Sequence, residues 1–191
     1  MNQPLFVAAV PGEVTQLPEG TTLLITGIGT LAAAISLTEY LANARAAGQL
    51  PSRIINVGTA GALRPELGDG VYEINSVFKH DFDSDVVPGV AERFSPDVIE
   101  PTTSGLFPVA SLATGDTFVN ESAKKEALAS RAGLVDMEGY AIAAVGLHFG
   151  VPVTLLKQIS DHADEATASG WADSLDECSR KIAEAVAKLN F

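Results

Sequence analysis

Four carboxylates stand in this sequence where acids are costly. "GLVDMEGYAIAA" (133–144) puts Asp136 and Glu138 into an otherwise apolar stretch. A buried carboxylate costs several kcal/mol unless something pairs with it, which raises the question of what Glu138 holds. Glu13 follows the apolar run "LFVAAV" (5–10), and Asp161 follows "PVTLLK" (152–157). Any single one could be a helix N-terminal charge, favoured by the dipole by less than ~1 kcal/mol. Three of them, Glu13, Glu138 and Asp161, each just past a strand at one edge of one sheet, could instead supply a base, an acid and an anchor.

The elements that must position them follow from hydrophobic spacing. Besides 5–10 and 152–157, runs of buried-strand length occur at 22–26, 53–58, 108–113 and 133–137. The longer run "GVYEINSVFKHDF" (70–82) alternates better and is expected towards a sheet edge. Helical spacing covers 30–47, 122–131, 138–149 and 171–189. In the last of these, Trp171, Leu175, Cys178, Ile182, Val186 and Leu189 form one apolar stripe, which makes Cys178 a packing residue rather than a nucleophile. Alternating strands and helices imply a largely parallel sheet covered on both faces. Ligands bind such sheets beyond the carboxyl ends of the strands, where the three acids fall.

Composition narrows the function classes. A chain of 191 residues is enough for one domain, 1–191, with a substantial core. A formal charge of −12, with 12 scattered basic residues, argues against a nucleic-acid partner. Small neutral or zwitterionic ligands remain open. The single Cys178 excludes an internal disulfide, and "MNQPLFVAAV" lacks the basic start of a secretory signal. The longest apolar run, 141–156, contains His148, Gly150 and Pro152, so no membrane span is expected and the expected compartment is the cytoplasm.

Other chemistries fit less well. Gly27, Gly29 and Ala32 match G-x-G-x-x-A, but "RIINVGTAG" lacks the acid that would hold a dinucleotide ribose. Asp81, Asp83, Asp85 and Glu92 mimic a calcium loop, yet Val86 replaces its required glycine, and a solvated acidic loop is the better reading. His148 and His162 have no ligand spacing to each other, so no metal is expected. No G-x-S-x-G elbow occurs, which removes the usual serine hydrolase.

Taken together, "EVTQL" (13–17), "TGIGTLAAA" (26–34), "NVGTAGAL" (56–63), "HDFD" (80–83), "ATGDTFV" (113–119), "VDMEGYAIA" (135–143) and "KQISDHAD" (157–164) resemble the nucleoside phosphorylase and nucleosidase superfamily. They are most similar to its 5′-methylthioadenosine/S-adenosylhomocysteine nucleosidase branch. The resemblance implies an α/β fold, a three-layer α/β/α sandwich around a mixed, barrel-like central sheet, and a homodimer. It makes Glu138, beside Met137, the acceptor for both ribose hydroxyls, a task that suits the two oxygens of a carboxylate. It implies Asp161 as the acid that protonates purine N7, with Ser160 orienting it. Phe118 would stack on the purine, unless it is simply core, and the Val119 backbone would bond the purine edge. Gly61 would lie where a glycine loop approaches the ligand.

Glu13 matches the base that activates water. Around it the sequence departs from the family: Val10 replaces a methionine, and the connection from Glu13 to Gly27 is short, as though a hairpin were missing. Lys157 stands where bacterial members commonly carry Arg. The implied activity is hydrolysis of a purine nucleoside, a 5′-substituted adenosine, to adenine and free sugar, with no cofactor. The rivals are a purine nucleoside phosphorylase, a futalosine hydrolase-type relative and a catalytically impaired nucleoside-binding protein.

Overall fold

Apolar runs become strands wherever something covers both their faces, and this chain closes its strands on themselves to do so. The structure, a computed structural model, describes residues 2–82, 97–165 and 167–189, the side chains of 167–173 excepted. Asp83, Asp85 and Glu92 of the calcium-like pattern lie outside the described residues, as does the Trp171 side chain.

The strands are β1 (Leu5–Ala8), β2 (Leu23–Ile25), β3 (Ile54–Ala62), β4 (Val71–Lys79), β5 (Val98–Ile99), β6 (Val109–Thr114), β7 (Leu134–Asp136) and β8 (Val153–Asp161). The helices are α1 (Thr30–Ala46), α2 (Ser122–Ala129), α3 (Gly139–Phe149) and α4 (Thr167–Val186), and a single 3-10 turn spans Pro11–Glu13. Among the described residues the strands make one eight-stranded sheet in the order β2-β1-β3-β7-β6-β4-β5, with β8 pairing both β3 and β4. Those last two pairings close a five-stranded barrel, β3-β7-β6-β4-β8.

The sheet read from strand–helix alternation as largely parallel is parallel in five of its pairings among the described residues, whereas β3–β7, β4–β8 and β4–β5 are antiparallel. The mixed, barrel-like sheet implied by the family resemblance is what forms. The run 70–82 is not an edge. β4 pairs β8 through Val71–Glu73, β6 from Glu73 to Lys79, and β5 at Val77 and Phe78. A register shift between Ile74 and Ser76 bends it enough to serve several partners. Its alternation misled because Glu73 is fully buried, where its carboxylate accepts from the Ser104 and Gly105 N–H groups at 2.7 and 3.0 Å. The short β5 had no periodicity to announce it.

Helices cover the barrel in two layers. α1 buries Ala33, Leu37 and Leu41 at helical spacing, and with α3 it packs over Leu5, Val7, Ile54 and Leu155. Each such Leu stabilises the fold by ~1.5–3 kcal/mol relative to exposure. On the other side, Ile182, Val186 and Leu189 at the α4 end pack against Phe6, Ile55, Val57 and Leu156. Cys178 is a buried free thiol in the same helix. No described helix is long and apolar enough to cross a membrane.

Candidate active site

The barrel directs strands into one cleft from two directions. β3 and β8 run parallel, whereas β7 and β6 arrive antiparallel to β3. The cleft encloses about 690 Å³, counted to its open mouth, and all eight residues expected at a site line it. Glu13 ends the turn after β1. Gly61 lies on β3, and Ser160 and Asp161 close β8. Phe118 and Val119 follow β6, and Met137 and Glu138 follow β7.

Glu13 is buried and tightly held. Its Oε2 accepts from the Ala9 and Val10 N–H groups at 3.2 and 3.3 Å. Its Oε1 accepts from the Thr59 N–H at 2.8 Å and the Thr59 hydroxyl at 2.9 Å. Thr59 has no outward motif and was not singled out in the sequence; only strand pairing brings it to the acid.

Asp161 is the last residue of β8, not the first beyond it, and Gly61 lies within a strand rather than a loop. Crowding inside the barrel leaves no room for a side chain at Gly61. A Cβ on Gly61 would sit 2.9 Å from Asp161 Oδ1 and 3.1 Å from the Ala163 Cβ. Asp161 Oδ2 accepts from the Ser160 hydroxyl at 2.7 Å, and Oδ1 from the Ala163 N–H at 2.8 Å. Ala163 adopts φ 50°, a left-handed conformation that is strained for a residue with a side chain.

Glu138 stands at the N-cap position of α3 with its side chain turned to other partners, and it is buried. Its Oε1 accepts from the Gly29 N–H at 2.8 Å. Gly27 and Gly29 have φ of 84° and 98°, which only glycine adopts readily, and the turn they make presents the Gly29 N–H to Glu138. Asp116 lies against the same turn and caps α1, accepting from the Thr30 N–H at 2.6 Å.

Beside Glu138 lies a buried ion pair. Lys157 Nζ is 2.8 Å from Asp136 Oδ2, both side chains being almost wholly enclosed. Asp136 also accepts from the Thr114 hydroxyl at 2.6 Å and the Gly139 N–H at 2.9 Å. Burial alone would pull the Lys157 pKa down, but Asp136, Glu138 and Glu13 outweigh it and hold the ammonium charged. Burial, then the Asp136 charge, pushes the Glu138 carboxyl up to about 7, against the pull of Lys157 and the Gly29 N–H. The folded protein therefore keeps a proton on Glu138 that the unfolded chain releases near 4.5. This group costs nothing below about 4.5, and its penalty grows until pH passes about 7.

Phe118 is 43% exposed at the cleft, so the alternative of a core phenylalanine is set aside, whereas Val119 is buried. Ile28 and Ala9 line the cleft too and were not anticipated. Among the described residues, no group of three or more His, Cys, Asp or Glu is placed to hold a metal ion.

Comparisons with known proteins bear on the family and the fold. The sequence profile of the phosphorylase superfamily matches residues 16–190, beginning just beyond Glu13. The 5′-methylthioadenosine/S-adenosylhomocysteine nucleosidase of Geobacillus kaustophilus is 32% identical over 187 residues, covering 87% of this chain and 77% of that protein. The Haemophilus ducreyi nucleosidase is 31% identical over 190 residues, covering 88% and 79%. Among solved structures, the Helicobacter pylori nucleosidase with butyl-thio-DADMe-Immucillin-A superimposes with a TM-score of 0.83 at 23% identity, covering 98% of this chain and 97% of that one. A futalosine hydrolase mutant from the same species superimposes with a TM-score of 0.83 at 22% identity, with the same coverage. At such identities these two establish the fold. With a profile spanning most of its length and relatives about a third identical, the chain belongs to the phosphorylase superfamily.

Proposed function

We propose that this protein is a hydrolase that cleaves the N-glycosidic bond of a 5′-substituted adenosine to adenine and free sugar. The observation that carries this reading is the convergence of Glu13, Asp161 and Glu138, with Phe118, on one cleft. Glu138 accepts from the ribose hydroxyls, and its charge favours the positive character that develops as the bond breaks. Phe118 stacks on the purine. Asp161 gives its proton to N7 as the C–N bond opens, and Glu13 takes one from the water that attacks the anomeric carbon. A protonated Asp161 also accepts from the 6-amino group of adenine; a 6-oxo group would face it acceptor to acceptor.

Hydrolysis is favoured over phosphorolysis by the donors around Glu13. The Ala9, Val10 and Thr59 N–H groups and the Thr59 hydroxyl are what an anion needs, and the Glu13 carboxylate already occupies them. The test is incubation with paired adenosine and inosine analogues sharing one 5′ group, with and without phosphate. Free sugar and adenine, released at a rate indifferent to phosphate, are expected. A sugar-1-phosphate product would overturn hydrolysis, and an inosine preference would overturn the adenine assignment.

The raised Glu138 carboxyl adds a pH dependence. The diol needs an ionised acceptor, so nucleoside binding must displace the Glu138 proton. Measured kcat/KM is expected to rise with pH through about 7, and Glu138→Gln should lose that rise. A variant that keeps it would move the titration to another group.

The same reading includes a homodimer. Leu31 and Ile35, one turn apart on α1, are 71% and 59% exposed, and Ile28, 52% exposed, precedes the helix at the cleft, so apolar surface runs outward from the site. A second copy covers it in this proposal, and sedimentation as a monomer at micromolar concentration would refute it.

A further inference from the structure

The family resemblance expects a hairpin after the base, and this chain has a short connection instead. The Glu13 carboxylate is held by Ala9, Val10 and Thr59, but something else must hold the residues that follow it. The segment is a chain of turns: Glu13 N–H donates to Val10 O, Val14 N–H to Pro11 O, and Leu17 N–H to Val14 O. Turns of this kind do not fix their own orientation to a barrel. Helix α4 lies directly against them. Ser179, wholly buried, accepts from the Gln16 N–H and from the Thr15 hydroxyl, both at 3.1 Å. One turn earlier, the Leu175 Cδ1 lies 3.0 Å from where a Cβ on Gly12 would be. One turn later, Ile182 packs in the cluster that contains Val14.

Ser179 is the anomaly in that face. Its neighbours on the buried side of α4 are apolar, and a hydroxyl there is unfavourable unless hydrogen-bonded. The donors it accepts from belong to the segment following Glu13. Alanine would fill nearly the same space without them. We infer that Ser179 is a positioning residue for the base, clamping the 14–17 segment to α4 so that Glu13 is presented to the cleft. Because α4 follows β8, which ends in Asp161, the clamp also ties the placement of the base to the helix that leaves the acid.

The inference rests on the reading of Glu13 as base, and a double-mutant cycle separates the two. Ser179→Ala should lower kcat roughly 10-fold with KM within about 2-fold, since small misplacement of a catalytic group acts on the chemical step. In the Glu13→Gln background the same change should have no further effect, because Ser179 acts only through Glu13. Cys178→Ala, a neighbouring core change on the same helix, should lower Tm and leave kcat unaltered. Thr15 is exposed, so Thr15→Val removes a partner of the clamp without threatening the fold, and a smaller loss of kcat is expected from it. Near-native kcat in both Ser179→Ala and Thr15→Val would overturn the inference. So would an equal loss from Ser179→Ala with and without Glu13. If Glu13→Gln itself retains turnover, it is the reading of the base that fails.

Discussion

Glu13→Gln loses turnover by ~10²–10⁴ while binding of adenine persists, which is the loss expected for removing a general base. The base acts on water and not on the purine, so the two effects separate. The amide is nearly isosteric and lies among four donors, from Ala9, Val10 and Thr59. Its NH₂ can accept none of them, so at least one side of the cradle loosens. Initial rates of adenine release, together with an adenine titration by thermal shift, check both halves. Near-native turnover would place the base elsewhere, and loss of adenine binding would make Glu13 a structural residue.

Lys157→Met destabilises the protein by about 3–5 kcal/mol, the cost of leaving a buried carboxylate without its partner. Asp136 keeps only the Thr114 hydroxyl and the Gly139 N–H once Lys157 is gone. It must then take up a proton to stay buried, so the loss should be larger in alkaline than in mildly acidic solution. Adding Asp136→Asn should recover part of it, because the orphaned charge is removed. Denaturant unfolding of the two variants at two pH values measures this, and a loss below about 1 kcal/mol from the single change would show that the pair is dispensable. Glu138 provides a second readout. Lys157 pulls its pKa down, so the acidic limb of kcat/KM should move to higher pH in a Lys157→Met protein that still folds.

Periodicity alone carried much of this architecture. The stripe from Leu175 to Leu189 is visible in the chain, and so are the buried runs of β1, β6 and β7, because helix and strand spacing are local properties. The acids Glu13, Glu138 and Asp161 were equally visible, since carboxylates beside apolar strands stand out by composition. What a linear reading could not supply is partnership across the chain. Gly29 and Glu138 are 109 positions apart, Gln16 and Ser179 are 163 apart, and Glu13 and Thr59 are 46 apart. Closure of the barrel decides each of those contacts. It turns Gly61 and Asp161 into strand residues that need each other's space, draws β4 inward from an expected edge, and buries Glu73 and Ser179 among apolar neighbours. Local spacing records which face of an element is apolar; which polar group waits on the opposite wall depends on how the walls meet, and only the folded chain decides that.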